Sequence, residues 1–403
     1  MSAVSRTSSP RVRSLTLPLA VLVTALALAA TAAAAPGKNL SYKMTDLGTL
    51  PGMTMSLANF GTLNQRGQAV GWSYVNHYAD DTPWIWERGV LTELDVPAAV
   101  AGPQRINDHG QVVGVWIGEQ DGNVGTHGFF YGAGGFVPLP EPEGFISAWT
   151  QCLNNRGMIA GEVFHPTVGE RPIVWEDGEM TILPMLDLGP GHIPTGWVHG
   201  INDAGQMVGY SGGSLVIAPP VFSFDGHATL WERGQAIDLG TLYDHPSSMA
   251  YAINNAGVVV GHSGFLSGEP SRAFVWSEKM GIVDLGLPPG WLSAIAYALN
   301  DRGEIVGGVS IFSDPQAGMP SEWGAPPLPW QTQYNHAVLW KDGQCIDLQD
   351  AVPVGSPWTL FWAVAINARG QILTGAVKRN DPPDPADPDK YNIIHAILLD
   401  PTK

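Results

Sequence analysis

Two cysteines in 403 residues cannot staple a fold together. Cys152 and Cys345 fall in different copies of a repeat described below, so buried free thiols are expected rather than a disulfide. The core must hold the fold. Charge is also scarce: only 14% of residues are Asp, Glu, Lys or Arg, and no long charged helical pattern is visible. Positive charge is scarcer still, with 20 Lys and Arg against 37 Asp and Glu, a formal net charge of −17. Such a surface repels phosphate backbones, which excludes nucleic acid as a partner. Beyond residue 35 no apolar run is long enough to span a bilayer. H-E-x-x-H, paired-Cys metal spacing and a ligand-spaced calcium loop are all missing, so neither a metal nor a cofactor is expected. The acidic, Pro-rich stretch at 381–389 reads as a solvated loop.

What is abundant is turn chemistry, with 49 Gly and 33 Pro. Together with many short β-branched and aromatic runs, it points to an all-β protein. Arg6, Arg11 and Arg13 precede an apolar stretch at 14–35 that ends in small residues. That order is a secretory signal peptide with cleavage expected between Ala32 and Ala35, leaving an exported domain at 41–403. Loss of the three Arg takes the charge to −20.

The stretch 252–286 shows the plan of the whole chain. Ala252-Ile253-Asn254 ends in a polar residue, Asn255-Ala256-Gly257 is a turn, and Val258-Val259-Val260 begins a second strand. Arg272 to Trp276 and Ile282 to Leu285 supply a third and a fourth strand. The Asn recurs as Asn64, Asn107, Asn154, Asn202, Asn254, Asn300 and Asn367. The turn Gly recurs as Gly67, Gly110, Gly157, Gly205, Gly257, Gly303 and Gly370. Seven copies spaced 43 to 67 residues apart predict a seven-bladed β-propeller of four-stranded antiparallel blades. The units span about 56–98, 99–142, 146–190, 195–241, 247–287, 293–350 and 360–400. The seventh lacks a fourth strand, and the segment 41–48 matches the missing piece, so the N-terminal strand is expected to complete the last blade.

The pairs His227-Ala228, His336-Ala337, His395-Ala396 and Ala273-Phe274, the turn Asn202 to Gly209 and the tail Asp238 to Leu242 resemble the HAF family of probable extracellular repeats. The resemblance covers nearly all of 42–400 and implies an exported bacterial repeat protein, with no particular reaction. Units two, three and five depart from a strict His-Ala-Phe, and WD-repeat and kelch signatures are missing.

Antiparallel strands put both tight turns of every blade on one face. The long, dissimilar connections at 211–225, 242–249, 310–334 and 378–392 fall on the other, where binding is expected. Trp149, Trp197 and Trp362 each lie five residues before the repeat Asn and are candidates for a ring at the channel mouth; Trp323 and Trp330 sit in the longest insertion. Packing between blades is the competing fate for these rings. The recurring Asn reads as a turn-capping residue, with a ring of amides around the channel as the alternative. Gly209-Tyr210-Ser211-Gly212-Gly213 matches a nucleophile pattern, but Ser73 and Ser263 end their strands in the same way. No reaction is named. A monomeric binding module with a glycan or protein ligand is the leading reading. A polysaccharide hydrolase or lyase would need carboxylates converging from Glu143, Glu162, Glu269 or Glu322, and a structural envelope protein is the third reading.

Overall fold

The structure, a computed structural model, describes residues 40–75, 81–98, 100–187, 192–218, 221–264, 270–311, 335–379 and 392–402. Residues 1–39, where a signal peptide is expected, Trp323, Trp330, Glu269, Glu322 and the acidic stretch 381–389 lie outside the described residues.

Seven four-stranded antiparallel sheets form a β-propeller. Blade 1 comprises Met55–Leu57, Ala69–Tyr74, Thr82–Glu87 and Val90–Glu93. Blade 2 is Ala101–Ile106, Val112–Gln120, Asn123–Gly132 and Gly135–Pro138. Blade 3 is Ser147–Leu153, Ile159–His165, Gly169–Glu176 and Glu179–Ile182. Blade 4 is His192–Ile201, Met207–Ala218, Val221–Glu232 and Gln235–Asp238. Blade 5 is Ser248–Ile253, Val259–Ser263, Arg272–Ser277 and Gly281–Asp284. Blade 6 is Ser293–Leu299, Ile305–Ser310, Asn335–Lys341 and Gln344–Asp347. Blade 7 takes Trp358–Ile366, Ile372–Arg379 and Asn392–Pro401 from the end of the chain and Tyr42–Asp46 from its beginning, paired from Tyr42↔Pro401 to Asp46↔Ile397. Among the described residues no helix is long and apolar enough to cross a membrane.

One expectation changes. Residues 211–218 and 221–225 are not irregular: their backbone continues the ladder of blade 4 out to Ala218↔Val221.

Blades are held together by apolar packing and by indole staples. Val113 of blade 2 packs with Ile159, Ile173 and Trp175 of blade 3. Trp175, Trp231 and Trp340 on third strands are buried, and each indole Nε1 donates to a carbonyl at the end of the preceding blade: Pro140, Pro184 and Gly286. The His-Ala and Asp-Leu-Gly motifs turn out to be two halves of one cross-strand contact. His227 pairs with Asp238 at 2.8 Å, His336 with Asp347 at 2.5 Å and His395 with Asp46 at 2.8 Å. Blade 2 uses His127 with Glu141, and blade 5 uses Arg272 with Asp284. The other oxygen of Asp238 accepts the Gly240 amide, closing the turn out of the fourth strand. Burial alone would raise the Asp46 carboxyl, but hydrogen bonds from His395 and the Gly48 amide outweigh it and hold the group below its ordinary value.

The repeated Asn explains the turn and the ring together. In blade 3, Asn154 Oδ1 accepts the amides of Arg156 and Met158, each at 3.0 Å, which folds the hairpin loop. Gly157 then takes φ +87°, open to glycine at little cost. The Nδ2 of Asn154 points away from its own blade and donates to the Asn202 carbonyl of the next at 3.0 Å. Every copy does the same, from Asn64 to the Asn107 carbonyl and onward until Asn367 donates to Asn64, at 2.9 to 3.2 Å throughout. The expected cap and the alternative ring of amides are one device.

The next residue builds a second circuit. The amides of Gln65, Asp108, Asn155, Asp203 and Asn255 each donate to the side chain of the corresponding residue one blade on. Ala368 donates to Gln65 Oε1 but has no side-chain acceptor to offer Asp301, so this circuit is open between blades 6 and 7.

Asn154→Ala removes an inter-blade bond and uncaps two amides, of which that of Met158 is buried; it is expected to cost about 1–3 kcal/mol in urea unfolding, and an unchanged midpoint would deny the ring a stabilising role. Conversely, Ala368→Asn supplies the missing acceptor and is expected to raise stability by about 0.5–1.5 kcal/mol, read as a higher thermal midpoint.

Candidate functional site

Each first strand runs from the long-loop face toward the Asn turn, so counting back from the Asn maps its inner wall. Three residues before the Asn the ladder breaks: the register shifts at Gln104, Gln151, His199, Tyr251, Tyr297 and Val364. A bulge re-aims the side chain of the extra residue. It also explains the strand glycine of the repeat. Opposite the bulge, a β-carbon on Gly161 would run into the Trp149 carbonyl, and one on Gly209 into that of Trp197. Blade 1 departs further, leaving its ladder after Leu57 and rejoining it at Leu63↔Ala69. The intervening segment carries Asn59, Phe60 and Gly61 inward.

Four bulge residues, Gln104, Gln151, His199 and Tyr251, line one cavity with Asn59, Phe60, Arg105 and Trp149. Its volume is about 60 Å³. One wall is aromatic: Phe60 stacks on Tyr297 at 4.4 Å, and Tyr251 stacks on His199 at 5.2 Å. The opposite wall is amide: Asn59 Nδ2 donates to Gln104 Oε1, and Gln151 Nε2 donates to Glu162 at 3.2 Å. A second cavity of about 170 Å³ lies on the turn side, lined by the Asn ring together with Asp108, Asp203 and Asp301.

Arg105 lines both cavities and stands between them. It occupies a column, two before the Asn, where the other blades carry Thr62, Cys152, Gly200, Ala252, Ala298 and Ala365. Ala252, Ala298 and Ala365 border the turn-side cavity with short side chains, and Arg105 alone in the column reaches both cavities. Gly61, at φ +69°, makes the room, because a β-carbon there would fall on the guanidinium. Nη2 of Arg105 donates to the His199 carbonyl at 2.5 Å, while its buried Nε has no hydrogen-bond partner. Burial presses its pKa below the ordinary value, and the neighbouring Cys152 works the other way. Cys152 is no counter-ion, since burial pushes its thiol up to about 12 and keeps it neutral. His199 is pushed down to about 4, first by burial and then by the Arg105 charge. Among the described residues no carboxylate forms an ion pair with Arg105.

The tryptophans anticipated at the mouth separate. Trp149 lines the cavity. Trp197 is half-buried, donates from Nε1 to Glu170 at 2.8 Å and stacks on Tyr210 at 5.0 Å. Trp362 is 5% exposed and packs edge-on against Phe361, a core position rather than a ligand face. Ser211 is fully buried, and its Oγ accepts the Leu186 amide, as Ser73 and Ser263 accept those of Leu50 and Leu242. Of the carboxylates that an enzyme reading requires, Glu143 is exposed and Glu162 is buried against Gln151, and neither lines the axial cavities. Among the described residues no three His, Cys, Asp or Glu gather to hold a metal ion. Counting forward along single repeats hides Arg105; reading the column two before the Asn across blades exposes it at once.

No protein-family model matches the chain, and no curated protein matches it. Solved structures resemble it in fold. The β-propeller domain of the Trilobed protease from Pyrococcus furiosus is 9% identical, with 87% of this chain and 95% of that one covered and a TM-score of 0.50. That propeller is described as having an open velcro topology, whereas here Tyr42–Asp46 closes blade 7. A gluconolactonase from Xanthomonas campestris is 13% identical over 68% of this chain and 87% of that one, at a TM-score of 0.38. A prolyl endopeptidase is 11% identical over 85% of this chain and 48% of that one, at 0.46. At such identities the likeness is one of fold.

His262 lies behind the aromatic wall, fully buried and stacked on Tyr251 at 5.6 Å, with burial and then His199 pushing it down to about 3. A histidine held neutral takes up its proton only on unfolding, so its contribution is complete above its ordinary 6.5 and is lost as pH falls toward about 3. His262→Phe keeps a ring against Tyr251 and removes that titration. Its unfolding free energy is expected to fall less steeply between those pH values than that of the parent; parallel curves would locate the pH dependence elsewhere.

Proposed function

We propose that the protein is an exported binding module that holds a saccharide at the axial cavity on the long-loop face. The observation that carries this reading is the contrast between columns. Residues that build the ring are repeated in every blade, whereas the position three before the Asn varies around the ring, with Gln and Tyr each used twice: Gly61, Gln104, Gln151, His199, Tyr251, Tyr297 and Val364. A symmetric scaffold with an asymmetric lining is what selective recognition needs. An aromatic wall facing an amide wall suits a sugar, which offers an apolar ring face and hydroxyl edges together. The N-terminal signal and the resemblance to HAF-family extracellular repeats both support an exported role.

A glycan array probed with the purified protein tests the reading. Trp149→Ala is expected to reduce binding by about tenfold or more, equivalent to about 1.4 kcal/mol. Trp197→Ala, which strips a ring from Tyr210 and leaves Glu170 without its donor, is expected to lower the thermal midpoint instead. Absence of any saccharide binding, or binding indifferent to Trp149→Ala, would refute the assignment.

A further inference from the structure

A guanidinium keeps its proton at any physiological pH, so Arg105 is a fixed positive charge on the propeller axis. Charges withdrawn from water are ordinarily paired. Here compensation comes from the single His199 carbonyl, Nε is buried and unpartnered, and the neighbouring Cys152 thiol is neutral. The polar side chains around it on the loop side are Asn59, Gln104, Gln151 and His199, and none of them carries negative charge. They are hydrogen-bonding groups set around a cation, with room beside it.

The geometry points to a carboxylate as the group that fills this place, and we propose that the saccharide bound at the axial cavity is an acidic one, of the uronic-acid class. This assignment rests on the axial cavity being the saccharide site. A carboxylate offers two oxygens to a guanidinium fork, and Gln104, whose Oε1 already accepts from Asn59, keeps its Nε2 for an oxygen that Arg105 leaves, while Gln151 stays bonded to Glu162. The cavity of about 60 Å³ admits a small charged group. The sugar ring that bears it would lie toward Trp149, two residues nearer the loop face than Gln151. Approach from the other side is disfavoured, because that cavity is lined by Asp108, Asp203 and Asp301. With a formal net charge of −17 the protein repels anions in general, so only a site with a half-buried, matched cation selects one.

Calorimetric titration of the purified protein with tetragalacturonate and with its methyl ester tests the proposal, because the ester keeps the rings and removes the charge. The acid is expected to bind about tenfold or more tightly than the ester. Arg105→Met is expected to abolish that preference, and Arg105→Lys to keep a reduced preference. Equal affinity of the parent protein for acid and ester, a measurement needing no variant, overturns the carboxylate assignment and leaves the saccharide reading standing. So does a preference that survives in a folded Arg105→Met. If neither probe binds while neutral saccharides register on the array, the acidic class alone is wrong. If no saccharide binds at all, both readings fall.

Discussion

A hydrogen bond from each repeat Asn to the main chain of the next blade is the constraint on which the rest depends. It fixes the angle between blades at the innermost point, where a small error would grow toward the rim. It also joins two scales of structure. The same side chain whose Oδ1 folds its own hairpin spends its Nδ2 on the neighbour, as Asn154 does with Met158 and Asn202. Local turn and global ring therefore cannot form independently. Asp shares only the acceptor half of this chemistry and Ser lacks the planar amide, which is a physical reason for the same residue at all seven positions.

The ring frees the rest of the inner wall. Because closure is carried by the Asn column, and blade contact also by third-strand indoles such as Trp231 reaching Pro184, the residues three before the Asn need not be the same in every blade. The bulge re-aims them, so the lining can become asymmetric inside a symmetric frame. Gly61 and Arg105 illustrate the coupling: the cation crosses the axis only because blade 1 leaves its ladder and places a residue without a side chain against it.

The architecture was legible because its signals are periodic. Blade number, the tight-turn face and the closing strand 42–46 follow from repeated Asn, Gly and Asp-Leu-Gly motifs, each of which does local work that any copy reveals. The site was less legible for the opposite reason. Arg105 occurs once, and no local pattern marks it; it stands out only against the six small residues in its column. Trp362 and Trp149 hold equivalent positions before their Asn, yet one is buried against Phe361 and the other lines a cavity, because the outcome depends on the packing of neighbouring strands rather than on spacing. The stretch 211–225 reads as loop because it is long and unlike its counterparts in the other repeats, while in space residues 211–218 and 221–225 go on pairing.

The joints between blades are not equal, and their differences compensate. Two devices supplement the Asn ring: the second circuit of side-chain acceptors, and a long residue after it that reaches over the turn glycine of the next blade. Arg66, Arg156, Arg302 and Arg369 lie against Gly110, Gly205, Gly370 and Gly67, and His109 accepts the same task by meeting the Asn155 carbonyl. Blades 4 and 5 carry Ala204 and Ala256 there and lack the reach, but their second-circuit bonds to Asn255 and Asp301 are intact. Between blades 6 and 7 the circuit is open at Ala368, and at that joint Arg302 extends to Gly370, anchored by Glu304. No joint lacks both. A closed ring is only as firm as its weakest joint, since a single opening releases the axial cavity on every side. The distribution of these side chains therefore fits a requirement on the cavity more directly than a requirement on any one blade.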